Sequence, residues 1–279
     1  MRHTRRKRSR RSRRMRGGQL PVPICVYSHS DFFDVLEIEM YYLSKLFKGT
    51  SQKIYVFTNV PYNKPTDLKY QEVLYDEKVL YTRRILHCIE KVTEPIFILT
   101  HENDILIEYD KDLIQKIIDK MGENKIDSVQ LTHMSENPGD EIPVTDDLSL
   151  YNKKRYIFTF SVQPRIWMKE SAIKVFSTPA PKNYIGAENG NVQKYIKNNQ
   201  KTYVVHSKTP MNSTEFLVTN AYVTFHAVRS GHFMSYQENN DLHPTIKKEH
   251  EYAYNTWMLA SARPKRAKNR AMEFPLEPA

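Results

Sequence analysis

Three short, mainly apolar runs constrain this chain most: LPVPICVY at 20–27, KIYVFT at 53–58 and IFILT at 96–100. Runs this short and this apolar suit strands buried on both faces, as in a parallel sheet. Between them lie stretches with helical spacing. Residues 32–47 carry Leu36, Met40, Leu43 and Phe47 on one stripe, with Ser30 or Asp31 placed as N-cap. Residues 81–92 carry Ile85, Ile89 and Val92, and residues 110–121 carry Leu113, Ile114, Ile117, Ile118 and Met121. Alternating strands and helices predict an α/β fold, opening with a right-handed β-turn-α-β crossover. The second half predicts strands at 126–131, 155–162, 202–206 and 221–228, and a short helix at 167–176. A further helix is expected up to about residue 198. Residues 133–147 and 238–250 are polar, and the first of these contains Pro138-Gly139 and Pro143, as a loop does.

The net charge of +10 is localised. Residues 1–16 hold ten Arg and Lys and no acid; taking these from the 42 in the chain leaves 32, equal to the 32 Asp and Glu. The body is therefore neutral and exerts no global pull on nucleic acid. Residues 1–19 read as a disordered basic arm, 20–258 as one domain, and 259–279 as a basic, frayed tail. The arm can bind nucleic acid or an import receptor through residues 2–16. The two cysteines, Cys25 and Cys88, sit in apolar stretches and read as buried thiols. No run reaches the roughly 18 apolar residues of a membrane span. Signal-peptide character, G-x-S-x-G, Walker A and G-x-G-x-x-G are all absent.

The strongest chemical signal is IFILT followed by His101-Glu102-Asn103-Asp104. A buried strand delivers polar groups at its carboxyl end, where open α/β sheets bind ligands. Glu102 and Asp104 are spaced so that a turn between them lets both reach one hard divalent cation, which one or two carboxylates plus substrate phosphates satisfy. Just upstream, Tyr81-Thr82-Arg83-Arg84 opens a helix with cations, a natural anion site.

These residues carry a resemblance. An apolar strand ends in Tyr27, a polar turn and helix follow, then the 81–84 helix start and a strand ending in acids. Phe160-Ser161-Val162-Gln163-Pro164-Arg165-Ile166-Trp167 is similar to an "FSLQPxIW" segment, Glu188 follows Trp167 by 21 positions, and AYVTFHAVRSGHF at 221–233 is similar to a closing strand and turn. Over about 22–235 the chain resembles nucleotide-sugar glycosyltransferases of the GT-A fold, especially small ones of large DNA viruses and some bacteria. The resemblance implies an α/β domain with a mixed, mostly parallel sheet flanked by helices. It implies transfer of a sugar from a nucleotide-sugar donor to a hydroxyl of a glycan or protein acceptor, assisted by Mn²⁺ or Mg²⁺. Tyr27, Ser28, Asp31, Arg83 and Arg84 would serve the donor, and Glu102, Asp104 and a late histidine the metal. Spacing does not choose between His226 and His232; His226, in an alternating strand, reads as an interior histidine, and His232, in a glycine-containing turn, is preferred. Glu188 would be the base on the acceptor, with Gln163 and Trp167 on the acceptor side. A cytoplasmic, virion or nuclear location is expected. His101 at the head of the acidic cluster, and the absence of a Trp beside Glu188, depart from the family pattern. They leave a second reading open, a glycosyltransferase-like module that binds without turnover; a nucleic-acid-binding protein acting through the arm is the third.

Overall fold

The computed structural model describes residues 18–133, 140–153, 160–179, 187–188, 190–214, 216–229, 232–235 and 241–259. Most of the arm and of the tail, and most of the strand expected at 155–162, lie outside them; the described end of that segment, 160–162, is irregular.

The first half runs β1 (Ile24–Tyr27), α1 (Phe33–Phe47), β2 (Ile54–Thr58), β3 (Gln71–Leu74), α2 (Tyr81–Lys91), β4 (Ile96–His101), β5 (Asp104–Tyr109), α3 (Lys111–Asn124). The second half adds β6 (Ser128–Gln130), β7 (Thr132–His133), β8 (Glu141–Pro143), β9 (Leu148–Asn152), β10 (Arg165–Met168) and α4 (Lys169–Phe176). There follow α5 (Asn191–Asn199), β11 (Thr202–Ser207), β12 (Met211–Asn212), β13 (Leu217–Val218), β14 (Tyr222–His226), β15 (Val228–Arg229), β16 (His232–Phe233) and α6 (Pro244–Ala253). Nine strands form the central sheet in the order β3-β2-β1-β4-β10-β6-β11-β9-β8. Only β10 and β9 run against the others, so the sheet is mixed and mostly parallel, as the resemblance implies.

The two-residue period of a strand sorts side chains to opposite faces. Ile24 and Val26 of β1, Ile54 and Val56 of β2, Ile98 of β4 and Ile166 of β10 pack with Leu36, Met40, Ile114 and Ile117 of α1 and α3. Their neighbours Cys25, Tyr27, Tyr55, Phe57, Phe97, Leu99 and Trp167 face the opposite layer, with Ile85 and Ile89 of α2, Val175 and Phe176 of α4, and Ile196 of α5. A third cluster joins Val35, Ile38 and Tyr42 of α1 to Val223 and Phe225 of β14 and Ile246 of α6. The helix α1 is thus buried on two stripes. Both cysteines are buried free thiols, and burial pushes the Cys88 thiol up to about 12.

Three local expectations are corrected. Neither Ser30 nor Asp31 caps α1: His29 caps a single 3-10 turn at Ser30–Phe32, and α1 follows it without a side-chain cap. Ser30 is diverted because Asn59 Oδ1 accepts its N–H (2.8 Å) and Asn59 Nδ2 donates to its hydroxyl (3.1 Å). Trp167 lies in β10 rather than in the helix after it, since pairing with Phe97 and Ser128 on either side keeps that segment extended. The polar stretch 133–147 contains strand residues, Glu141–Pro143, because Ile142 pairs with Leu150 at the sheet edge. The polar stretch 238–250 leads into a helix over 244–253: Pro244 opens α6 at a position that lacks a helical partner anyway, and Ile246 and Ala253 face the third core cluster.

Trp167 is 1 % exposed and packs 5.9 Å from Phe176, ring centre to ring centre. Trp167→Ala should therefore destabilise the fold by about 3–5 kcal/mol, read as a lower midpoint in urea unfolding.

Candidate active site

The carboxyl ends of β1 and β2 open into a cleft of about 560 Å³ lined by His29, Ser30, Asp31, Asn59, Val60, Tyr75, Asp76 and Glu77. Polar groups form its rim. Glu77 accepts from Asn59 Nδ2 at 2.7 Å and lies 3.0 Å from His29 Nε2; these two bonds hold its carboxyl below the usual range. Tyr27 and Ser28 form the layer beneath. Tyr75 stacks on Tyr27 at 5.1 Å and donates its hydroxyl to the Ser28 carbonyl at 2.8 Å.

From Tyr27 the site continues along the strand ends. The His101 ring is 5.1 Å from the Tyr27 ring, and Tyr81 Oη lies 3.0 Å from His101 Nε2. Burial holds the His101 imidazole down to about 4, against the pull of the Asp104 carboxylate, so it is neutral at pH 7. Tyr81 and His101, with Ser161, Val162, Gln163 and Trp167, surround a second, small cavity. Glu188 reaches this group, accepting the Val162 N–H at 2.9 Å. Burial raises the Glu188 carboxyl above its ordinary range, while the Val162 bond and the charges of Lys153 and Arg165 oppose the rise.

Beneath Gln163 lies a buried polar knot. Gln130 Oε1 accepts from Lys153 Nζ (2.5 Å), Arg165 Nη2 (3.0 Å) and Ser161 Oγ (3.0 Å). Gln130 Nε2 donates to Gln163 Oε1, which also accepts from Thr132 Oγ1 at 3.0 Å. Burial, with the Arg165 charge, drives the Lys153 ammonium well below its ordinary value.

The acidic turn follows His101 at the end of β4. Glu102 and Asp104 are 6 % and 3 % exposed. Asp104 Oδ1 lies 3.1 Å from His226 Nδ1. Asn103 Oδ1 accepts the Val228 N–H at 2.6 Å, so its amide nitrogen is the atom 2.6 Å from His226 Nε2. The imidazole is thereby placed with its proton on Nδ1, donating to Asp104, and Nε2 accepting from Asn103. Among the described residues no group of three or more His, Cys, Asp or Glu stands ready as a complete cation cage. The two carboxylates nevertheless supply hard oxygen donors of the kind Mn²⁺ and Mg²⁺ take alongside substrate phosphates, so the donor set fits such an ion as a partial site.

The residues singled out from sequence are therefore not all equally placed. Asp31 lines the cleft; Tyr27 and Ser28 underlie it; Gln163 lines the small cavity and Glu188 touches its wall. Arg84 is 8 % exposed, donating from Nε to the Val79 carbonyl (2.9 Å) and from Nη2 to the Glu77 carbonyl, with its guanidinium over Tyr75. It braces the loop that carries the cleft rim. Arg83 is exposed on α2. Trp167 offers its ring to the core rather than to solvent. His232 is exposed on β16, whereas His226 is the histidine that meets Asp104. Asn59, Tyr75 and Glu77 escaped the sequence reading; the acidic Tyr75-Asp76-Glu77 directly after an extended segment was the available signal.

No sequence profile of a protein family matches the chain, and no curated protein matches it significantly. Several solved structures are weakly similar to it. S. aureus TarS (residues 1–349) is 13 % identical, with a TM-score of 0.45 over 89 % of this chain and 73 % of that one. An apo UDP-glucose pyrophosphorylase is 8 % identical, TM-score 0.41, over 67 % and 91 %. HddC from Yersinia pseudotuberculosis is 12 % identical, TM-score 0.40, over 66 % and 89 %. Likenesses this slight say nothing about activity. No helix among the described residues is long and apolar enough to cross a membrane.

Proposed function

We propose that the protein is a glycosyltransferase that moves a sugar from a nucleotide-sugar donor to an acceptor hydroxyl. One observation carries this reading: a nucleoside-sized cleft, a buried acidic turn and a half-buried glutamate lie in sequence along the carboxyl ends of the sheet strands. That is where open α/β sheets bind ligands.

In this reading the cleft takes the nucleoside, with Asp31, Asn59 and Glu77 offering acceptors and donors to ribose and base. Glu102 and Asp104 would hold a divalent cation, which would supply charge neutralisation to the departing nucleoside diphosphate. Glu188 accepts the proton of the acceptor hydroxyl. It does so only when ionised, so transfer rises with pH through a value above the ordinary carboxylate range. Gln163 and Ser161 shape the acceptor side.

The test is release of nucleoside diphosphate from a panel of nucleotide-sugars, with and without Mn²⁺, in the presence of simple glycosides. Acceptor-stimulated release from one donor supports transfer. Donor binding with no release in any combination favours the non-turning module instead, a reading that the His226 contact on Asp104 also suits. The arm is separable. Deleting residues 1–16 should leave nucleotide binding unchanged, while removing a salt-dependent affinity for DNA with a log–log slope of roughly −9, about 0.9 per cation. Filter binding at several salt concentrations checks this, and DNA affinity that survives the deletion would place nucleic-acid binding on the domain.

A further inference from the structure

Glu39 is an anomaly in α1. Its neighbours on the helix, Val35, Leu36, Ile38, Met40, Tyr42 and Leu43, are buried apolar residues, and Glu39 is itself 0 % exposed. One carboxyl oxygen, Oε2, accepts the Leu106 N–H at 3.0 Å. The other, Oε1, is buried with no hydrogen-bond partner among the described residues. A fully buried carboxyl with half its capacity unused is costly, so what it does to Leu106 matters.

Leu106 lies at a break in register. In the β5–β14 pair, Tyr109 faces Tyr222 and Glu108 faces Val223, but Thr224 then faces Leu106, Phe225 faces Ile105 and His226 faces Asp104. Ile107 is the extra residue of a β-bulge. Such a bulge disrupts the ladder locally and re-aims the residues beyond it. Without it the register of the first two pairs would continue: His226 would face Ile105, and Asp104 would face Ala227. A slip of one residue also turns each side chain to the opposite face.

We infer that Glu39 is a positioning residue, whose carboxyl takes the Leu106 N–H at the bulge and thereby holds β5 in the register that sets Asp104 against His226. Burial keeps the Glu39 carboxyl well above the usual carboxylate range, opposed by the Leu106 bond and reinforced by Asp104 and Glu102. A glutamine at this position keeps an acceptor oxygen for the Leu106 N–H. Asp104 is the acid placed at the cation in the function proposed above, so the consequence for metal rests on that reading; the register does not.

The test uses the full chain labelled with ¹⁵N-histidine, with His226→Gln to assign the resonance. The wild type should show the Nδ1–H tautomer at His226, held by Asp104. Glu39→Gln should keep that signature. Glu39→Leu should lose it, and its Mn²⁺ affinity, read by electron paramagnetic resonance, should fall about 10–100-fold, as when an orienting partner of a ligand is removed. If Glu39→Leu does not fold, Glu39→Asp, which withdraws the acceptor by one methylene, should lose the signature in its place. A Leu or Asp variant that folds and retains the wild-type tautomer overturns the inference, whatever happens to Mn²⁺. A wild type that binds no Mn²⁺ while the tautomer follows the expected pattern overturns the metal reading and leaves the register role standing.

Discussion

Asp104→Ala should abolish metal-dependent donor binding and lower sugar transfer by about 10³-fold or more, equivalent to roughly 4 kcal/mol of transition-state stabilisation at 1.36 kcal/mol per factor of ten. Asp104 is 3 % exposed and its carboxylate is fixed by His226 at 3.1 Å. It is therefore already oriented, and a cation meeting it gains from little reorganisation. The variant leaves His226 Nδ1 without its carboxylate in a half-buried site, so some loss of stability accompanies the loss of function. The two effects separate in a thermal melt. Without nucleotide, the variant should melt several degrees lower, in keeping with about 1.5–3 kcal/mol for a lost hydrogen bond to a charged group. With nucleotide, the Mn²⁺-dependent rise seen for the wild type disappears. A variant that retains both the Mn²⁺-dependent rise and full transfer removes Asp104 from the cation site.

Glu188→Gln should lower transfer by about 10²–10⁴-fold, the usual range for a positioned general base, while donor affinity should stay near the wild-type value. The amide keeps an acceptor for the Val162 N–H, so the wall of the small cavity stands. What it loses is the capacity to take a proton. In the wild type the acidic limb of kcat/KM should lie above the ordinary carboxylate range, because burial raises the Glu188 carboxyl against the opposing Val162, Lys153 and Arg165. Glu188→Gln has no such limb. Equal loss in kcat and kcat/KM, with KM for the donor unchanged, is the pattern expected of a group used only in the transition state. Unchanged transfer in Glu188→Gln moves the base elsewhere along the strand ends.

Much of the architecture was legible because the strands that matter are short and apolar on both faces. ICVY, IYVFT and IFILT each became the strand expected, and Leu36, Met40, Leu43 and Phe47 each became core. The missed strands have different chemistry. QEVL at β3 buries only Val73, and β5 has a bulge at Ile107 that breaks its alternation. Sequence alone extends the Lys169–Phe176 helix back to Trp167; the pairing of β10 on both edges decides otherwise.

The site was legible in a similar way. Residues at strand ends, Tyr27, Ser28, Asp104 and their neighbours, could be placed from the strands that deliver them. Contacts between distant segments could not. The partnership of Asp104 with His226 spans 122 positions, and that of Asn59 with Glu77 depends on how two loops meet. Arg84 also illustrates the difference: a cation at a helix start suggests an anion site, yet its side chain folds back onto the carbonyls of Glu77 and Val79. Glu39 was invisible for the opposite reason. A single acid on a helix stripe suggests a solvated face, and only the second buried stripe of α1 reveals it as interior.

The central claim, that this cleft and acidic turn bind a nucleotide-sugar with a divalent ion, is tested most directly by a thermal-shift screen of the full chain. The panel is the nucleoside diphosphates and their sugar conjugates, each with and without Mn²⁺. Ligand bound only by the native state raises the melting temperature, by an amount equivalent to about 2.7 kcal/mol at a hundredfold excess over Kd. The expected result is a Mn²⁺-dependent rise with one base, present in the wild type and absent in Asp104→Ala. No rise with any nucleotide, with or without Mn²⁺, would contradict the account.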